Sequence, residues 1–246
     1  VNVILFFIDT ARARGGFLKR FIELADQDDV VKRMSLVDTL GAATPEAMHL
    51  LVSTVKTWTE KPLEVHCHND FGFGTANTVA GLLSGAEVFS GTINGLGQRA
   101  GNASVEEVIM AMHLLYGVPT DLHLDRLREL SAHIQRLSGV KMPQYKAVVG
   151  EKLFQWEAGI PTAALRKLPT TVEPYVPELV GADHSIVLGK KTGKANILFK
   201  LEEMNLPTDD EEQVETLVGL VKTMAVKENR TVTDSEFKKL YDDLVN

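Results

Sequence analysis

Four short apolar runs open the chain, and each closes on polar residues. VNVILFFID ends at Asp9, MSLVDT at Asp38 and Thr39, LEVHCHND at His66 and His68, and VFSGTIN at Asn94. The closing residues follow one another at intervals of about 28 positions, the length of one strand and one helix. Helical spacing fills the intervals. Phe17, Phe21 and Leu24 predict the buried face of a first helix. Thr44 predicts the N-cap of a second, with Pro45 at its first helical position, and Val79, Leu82 and Leu83 mark a third. Ser104 and Glu107 read as a capping box opening a fourth helix, with Val105, Val108, Ile109 and Met112 on one side.

Repeating βα units with apolar strands predict a parallel sheet covered by helices, with chemistry at the carboxyl ends of the strands. No GxGxxG turn follows any strand, and polar residues close every one of them. The pattern therefore suits a (β/α)8 TIM barrel better than a dinucleotide-binding sheet. Only the last four βα units of such a barrel are visible. The first residues carry no initiating methionine and read as a strand already under way, so the expectation is a fragment whose other half lies upstream or on another chain. Residues 1–115 form the half barrel in this reading, and 116–246 form a mainly helical linker and C-terminal region. Within the latter, Leu124, Leu127, Leu130, Ile134 and Leu137 predict a helix stopped by Gly139. A stretch of weak periodicity runs to about 195, and two further helices follow. One starts after Pro207 and Thr208 with an acidic first turn, and the other is capped by Thr233 with Glu236.

Charge and cysteine content narrow the function classes. A formal charge of −7 removes the electrostatic footprint of a nucleic-acid binder. The single cysteine, Cys67, excludes an internal disulfide and a four-cysteine zinc site, so a reducing cytoplasm is expected. No apolar run reaches the ~18 to 20 residues of a membrane span.

The chemistry concentrates in one stretch, LEVHCHNDFGFG. In a strand, residues i and i+2 face the same way, so His66 and His68 point together, opposite Cys67, and such a pair can hold a divalent cation. Asn94 and Asn102 arrive one unit later. A carboxylate that would neutralise the ion is still wanting, and is expected from strands this chain does not contain.

HCHNDFGFGTAN followed by GTINGLGQRAGNASVEEV resembles the paired signatures of the metal-dependent Claisen-condensing barrel enzymes, the 2-isopropylmalate, homocitrate and citramalate synthases. SLVDTLGAATPE resembles their sixth strand, and VGEKLFQWEAGI, PELVG and IVLGKKTGKANI resemble their linker subdomains, so the likeness covers nearly the whole chain. It implies a transferase that condenses acetyl-CoA with a 2-oxo acid and hydrolyses the thioester to a hydroxy diacid. It further implies a divalent ion (Mg, Mn, Zn or Co), with His66 and His68 as ligands and Asn102 near or on the metal. By the same resemblance Thr39 hydrogen-bonds the 2-oxo acid carboxylate, and the chain forms a homodimer through the linker region. Arg12 and Asn94, at strand ends, are further candidates for substrate binding.

Two departures bear on the base. The family usually has a histidine where this chain has Trp156 and a glutamate where it has Ile8. A positioned base contributes roughly 10²- to 10⁴-fold in rate, so Glu157 and His184 are the candidate substitutes. The loss also keeps a second reading in view, a lyase or aldolase of the hydroxymethylglutaryl-CoA lyase type, and a third, a truncated chain that catalyses nothing alone. The turn GKKTGK, residues 189–194, is basic and glycine-bounded without the spacing of a Walker loop.

Overall fold

In the computed structural model, which describes residues 3–207 and 210–245, the expected βα alternation forms over the first half of the chain. β1 (Val3–Phe7), β2 (Val31–Asp38), β3 (Leu63–Cys67) and β4 (Val88–Ser90) pair in sequence order as one parallel sheet. Between and after them run α1 (Gly15–Asp26), α2 (Pro45–Val55), α3 (Gly74–Leu83) and α4 (Val105–Leu114). Val1 and Asn2, which open the first apolar run, lie outside the described residues.

One face of the sheet meets the helices. Met34, Leu36, Leu63, Val65 and Cys67 are buried against Leu18 and Ile22 of α1 and Met48 and Val52 of α2. Full burial of each large side chain is worth about 1.5–3 kcal/mol. Gly81 lets α3 press onto β3, because a Cβ there would lie 2.8 Å from a Val65 methyl. Thr44 caps α2 as expected, its hydroxyl accepting from Ala47 N at 3.3 Å.

Two local expectations fail. The buried stripe of α1 is Leu18, Ile22 and Ala25, whereas Phe17, Phe21 and Leu24 are exposed. The helix has two apolar stripes, and Phe17 and Phe21 pack on each other with ring centroids 4.9 Å apart. Ser104 precedes α4 without a side-chain cap bond, and the Glu107 carboxylate instead accepts from Thr75 of α3 at 2.8 Å.

The opposite face of the sheet carries Ile4 and Phe6 on β1, 40% and 51% exposed, with Ile8 just beyond at 74%. The register aligns Phe6, Ser35, Glu64 and Val88 in one row and Val37, His66 and Ser90 in the next. Glu64 is buried there beside Arg33 at 2.8 Å, and Ser35 donates to it at 3.1 Å.

The chain divides into two compact units, and the division interleaves between 124 and 150 rather than falling at one position near 116. The first unit is Val1–His123 with Glu129–Met142 and Ala147–Val149; the second is Leu124–Arg128, Pro143–Lys146 and Gly150–Asn246. The expected helix ending at Gly139 is α5 (Leu127–Ser138). In the second unit, the stretch of weak periodicity holds order that the sequence pattern hides. A two-residue parallel ladder joins β5 (Gln155–Trp156) to β6 (Ser185–Ile186), and α6 (Gly159–Lys167) lies between them. α7 (Lys194–Glu203), α8 (Glu211–Glu228) and α9 (Asp234–Val245) enclose a core of Ile197, Leu201, Leu217, Val221 and Phe237. α8 begins on the Asp210 cap, whose carboxylate accepts from Glu212 N at 2.8 Å, while Thr208 lies outside the described residues. The Thr233–Glu236 box forms in both directions, with bonds of 2.9 and 3.3 Å. Among the described residues no helix is long and apolar enough to cross a membrane.

Candidate metal centre

β3 turns Val65 and Cys67 into the helix-covered core, and alternation puts His66 on the other face. The imidazole of His66 is half-buried, with Nδ1 2.8 Å from the Ser90 hydroxyl on β4. His68 lies just past the strand end and is 9% exposed, its ring 5.2 Å from that of His66. Burial, and then the proximity of His68, holds the His66 pKa below its ordinary value against the opposing Ser90 bond and Glu64 charge. A lowered value keeps the ring neutral, which is the form that binds metals.

Asn102 reaches the same place through the backbone. It pairs with His68 in an antiparallel bridge, flanked by bonds from Asn69 N to Gly101 O at 3.0 Å and from Ala103 N to Cys67 O at 2.9 Å. Glycines make this approach possible. A Cβ at Gly97 would collide with the Asn102 amide, and one at Gly101, where φ is +91°, would run into the Gly95 carbonyl. The Asn102 Nδ2 donates to Leu96 O at 3.2 Å.

Two polar atoms at this junction, His68 Nδ1 and Asn102 Oδ1, are buried with no hydrogen-bond partner among the described residues. Orphaned acceptors of this kind are rare in folded proteins and point to an absent ion or water. Two imidazoles and an amide oxygen form a donor set that fits a divalent cation. Among the described residues no group of three or more His, Cys, Asp or Glu side chains could hold a metal, so these donors would need a carboxylate from elsewhere.

The loops around the pair are tied together. Asp38 is buried, its carboxylate accepting from Ala42 N, Ala43 N and the Asn77 amide at 3.0–3.3 Å, and its carbonyl accepts from His68 N at 3.2 Å. Thr39 presents its hydroxyl oxygen to Asp9 N at 2.7 Å, which leaves the hydroxyl hydrogen to donate elsewhere. Arg99 forks onto Asp70 with bonds of 2.7 and 2.9 Å and holds that carboxyl well below the usual range.

The remaining sequence candidates are placed as follows. Arg12 is exposed and bound to Asp9 at 2.6 Å. Asn94 is buried, its side chain donating to the Ser131 carbonyl at 3.1 Å and accepting from the Ser131 hydroxyl at 2.5 Å. In the second unit, Glu157 accepts from Lys191 N at 3.0 Å and thereby braces the basic turn at 189–194. His184 sits at the other end of the β5–β6 ladder from Glu157, with Nδ1 3.1 Å from Glu173 Oε1. The same oxygen accepts the indole N–H of Trp156 at 2.8 Å, while Glu173 Oε2 is buried and unpartnered. The ladder thus brings Trp156 and His184 onto one carboxylate and leaves Glu157 outside that group. Sequence reasoning missed Ser90, Arg99 and Glu173. Ser90 could have been found from the parallel register, and Arg99 from its place in the glycine-rich run GLGQRAG.

Residues 2–134 match the family described as HMGL-like, and residues 148–229 match the homocitrate synthase post-HMGL domain-like family. A homocitrate synthase AksA of Methanopyrus kandleri is 40% identical over 94% of this chain and 58% of its own length. A putative (R)-citramalate synthase CimA of Archaeoglobus fulgidus is 38% identical over 95% of this chain and 47% of its own. A 2-isopropylmalate synthase of Methanocaldococcus jannaschii is 38% identical over 86% and 41%. The chain thus spans about half the length of the curated relatives it matches. Among solved structures, hydroxymethylglutaryl-CoA lyase from Pseudomonas aeruginosa superposes with a TM-score of 0.50 at 24% identity, over 57% of this chain and 51% of that one, a likeness of fold alone.

Proposed function

The chain belongs to the HMGL-like family of TIM-barrel proteins, and from that premise we propose that it is the second half of the barrel, with linker, of an acyltransferase that condenses acetyl-CoA with a 2-oxo acid. The observation that carries the reading is the junction of His66, His68 and Asn102, where Nδ1 of His68 and Oδ1 of Asn102 are buried without partners. Three kinds of relative, at about 40% identity, bear the names of homocitrate, citramalate and 2-isopropylmalate synthases.

His66, His68 and Asn102 would hold the divalent cation. When bound, the ion supplies a Lewis acid that polarises the ketone of the 2-oxo acid. The Ser90 hydroxyl fixes the His66 ring at Nδ1 and leaves Nε2 as its ligating atom. Thr39 retains a hydroxyl hydrogen for the carboxylate of the 2-oxo acid. The reaction removes a proton from the thioester methyl, joins that carbon to the carbonyl carbon, and protonates the former carbonyl oxygen. Water then cleaves the thioester and releases the free thiol of coenzyme A. Both candidate bases lie in the second unit, where Glu173 meets the His184 imidazole at Nδ1 and Glu157 accepts from Lys191 N.

The test is to incubate the full-length gene product with Mn²⁺, acetyl-CoA and a panel of 2-oxo acids, and to follow free thiol. Release that depends on both the ion and one oxo acid is expected. Silence across the whole panel overturns the reading.

A further inference from the structure

We propose that Arg99 is a positioning residue whose guanidinium clasps three strand-end loops and so sets the spacing between the cation ligands and Thr39; this rests on the metal reading above. The Nε and Nη2 of Arg99 donate to the two oxygens of Asp70, at 2.7 and 2.9 Å, and Nη2 also donates to the Thr39 carbonyl at 2.6 Å. Asp70 stands two residues after His68, Arg99 three residues before Asn102, and Thr39 directly after β2. One side chain therefore joins the loops that leave β2, β3 and β4, and each of those loops carries a group assigned to the ion or to the oxo acid.

The backbone around the clasp is built for it. Arg99 adopts φ +55°, a left-handed conformation uncommon outside glycine, which the surrounding loop must hold in place. On the other side, Gly41 (φ +57°) abuts Asp70 so closely that a Cβ would lie 2.7 Å from its amide nitrogen and 2.9 Å from Oδ2. Asp70 is wedged between the two. A planar fork is required to meet both carboxylate oxygens and a carbonyl together. A lysine in its place keeps the charge and loses the geometry.

The clasp is distinguished from a merely structural contact by what it does to the cation. Binding of Mn²⁺ alone to the full-length gene product is titrated by the loss of the free-ion electron paramagnetic resonance signal, in the parent, Arg99→Lys, Asp70→Asn and the double variant. Groups that orient metal ligands alter affinity by roughly 10- to 100-fold when removed. We expect each single variant to weaken Mn²⁺ binding by about 10-fold, and the double variant to be no weaker than the weaker single, because both halves serve one contact. Should one variant fail to fold by circular dichroism, the other carries the test. Folded variants with affinities within about twofold of the parent overturn the positioning role and leave the metal reading intact. Loss of folded structure in both assigns the clasp to the fold alone and likewise overturns it. A full-length parent that binds no Mn²⁺ overturns the metal reading, and this inference with it.

Discussion

His68 and Asn102 face each other across an antiparallel bridge, and each keeps a buried polar atom with no hydrogen-bond partner among the described residues. Removing either should be felt first in cation binding. His68→Ala is expected to weaken Mn²⁺ binding by more than about 100-fold, beyond the range seen when only a supporting group is lost. Its fold should be retained, since the ring makes no hydrogen bond at Nδ1 that the variant would break. Titration calorimetry with Mn²⁺ checks this, and unchanged affinity would remove His68 from the ligand set.

Gly101 is the second point of leverage. At φ +91° and against the Gly95 carbonyl, a methyl group meets both backbone strain and a clash. Strain of this type costs about 1–3 kcal/mol before the clash is counted. Gly101→Ala should therefore destabilise the first unit by at least that much, read as a lower urea midpoint, and displace Asn102, weakening Mn²⁺ binding as well.

The two stripes of α1 give a stability test of the corrected packing. Ile22→Ala should cost about 2–5 kcal/mol, as a fully buried side chain does. Leu24→Ala, at a position 57% exposed, should stay within about 0.5 kcal/mol. Denaturant unfolding of the two variants separates them, and the reverse order would restore the stripe the sequence suggested.

Acid should loosen the C-terminal helix through Glu236. Arg230, with bonds of 2.6 and 2.9 Å, and Thr233 hold this carboxylate far below its ordinary value of 4.5. A folded-state pKa below the unfolded one means the unfolded chain binds more protons, so the contribution is present above about 4.5 and is lost as pH falls through the folded value. Glu236→Gln should lower the thermal midpoint at pH 7, and the gap from the parent should narrow steadily below about pH 4.5. A gap independent of pH would show that the ion pair contributes nothing.

The alternation of strands and helices was legible in the first unit because each strand has a helix behind it and closes on polar residues. The closeness of His66 and His68 was legible for the same reason, since period two puts both rings on one side. What escaped reading depends on partners remote in sequence. Phe17 and Phe21 carry the same helical spacing as Leu18 and Ile22, and only the sheet decides between the stripes. The bonds between the Asn94 side chain and Ser131, 37 positions away, likewise leave no mark in the local pattern. The β5–β6 ladder is two residues long, too short to leave an alternating pattern, so Glu173 could not be joined to Trp156 and His184 before the fold was known.

Cys67 lies between the two histidines in sequence and on the reverse side of their strand, sealed against the helices, where burial pushes its thiol up to about 12. The protein thus carries its own clock for the backbone segment that bears His66. A sulfhydryl reagent reaches this sulfur only when β3 parts from its covering helices, so the modification rate times that opening with no added label. Comparing the rate with and without Mn²⁺ would show whether the ion fastens the segment from its far side.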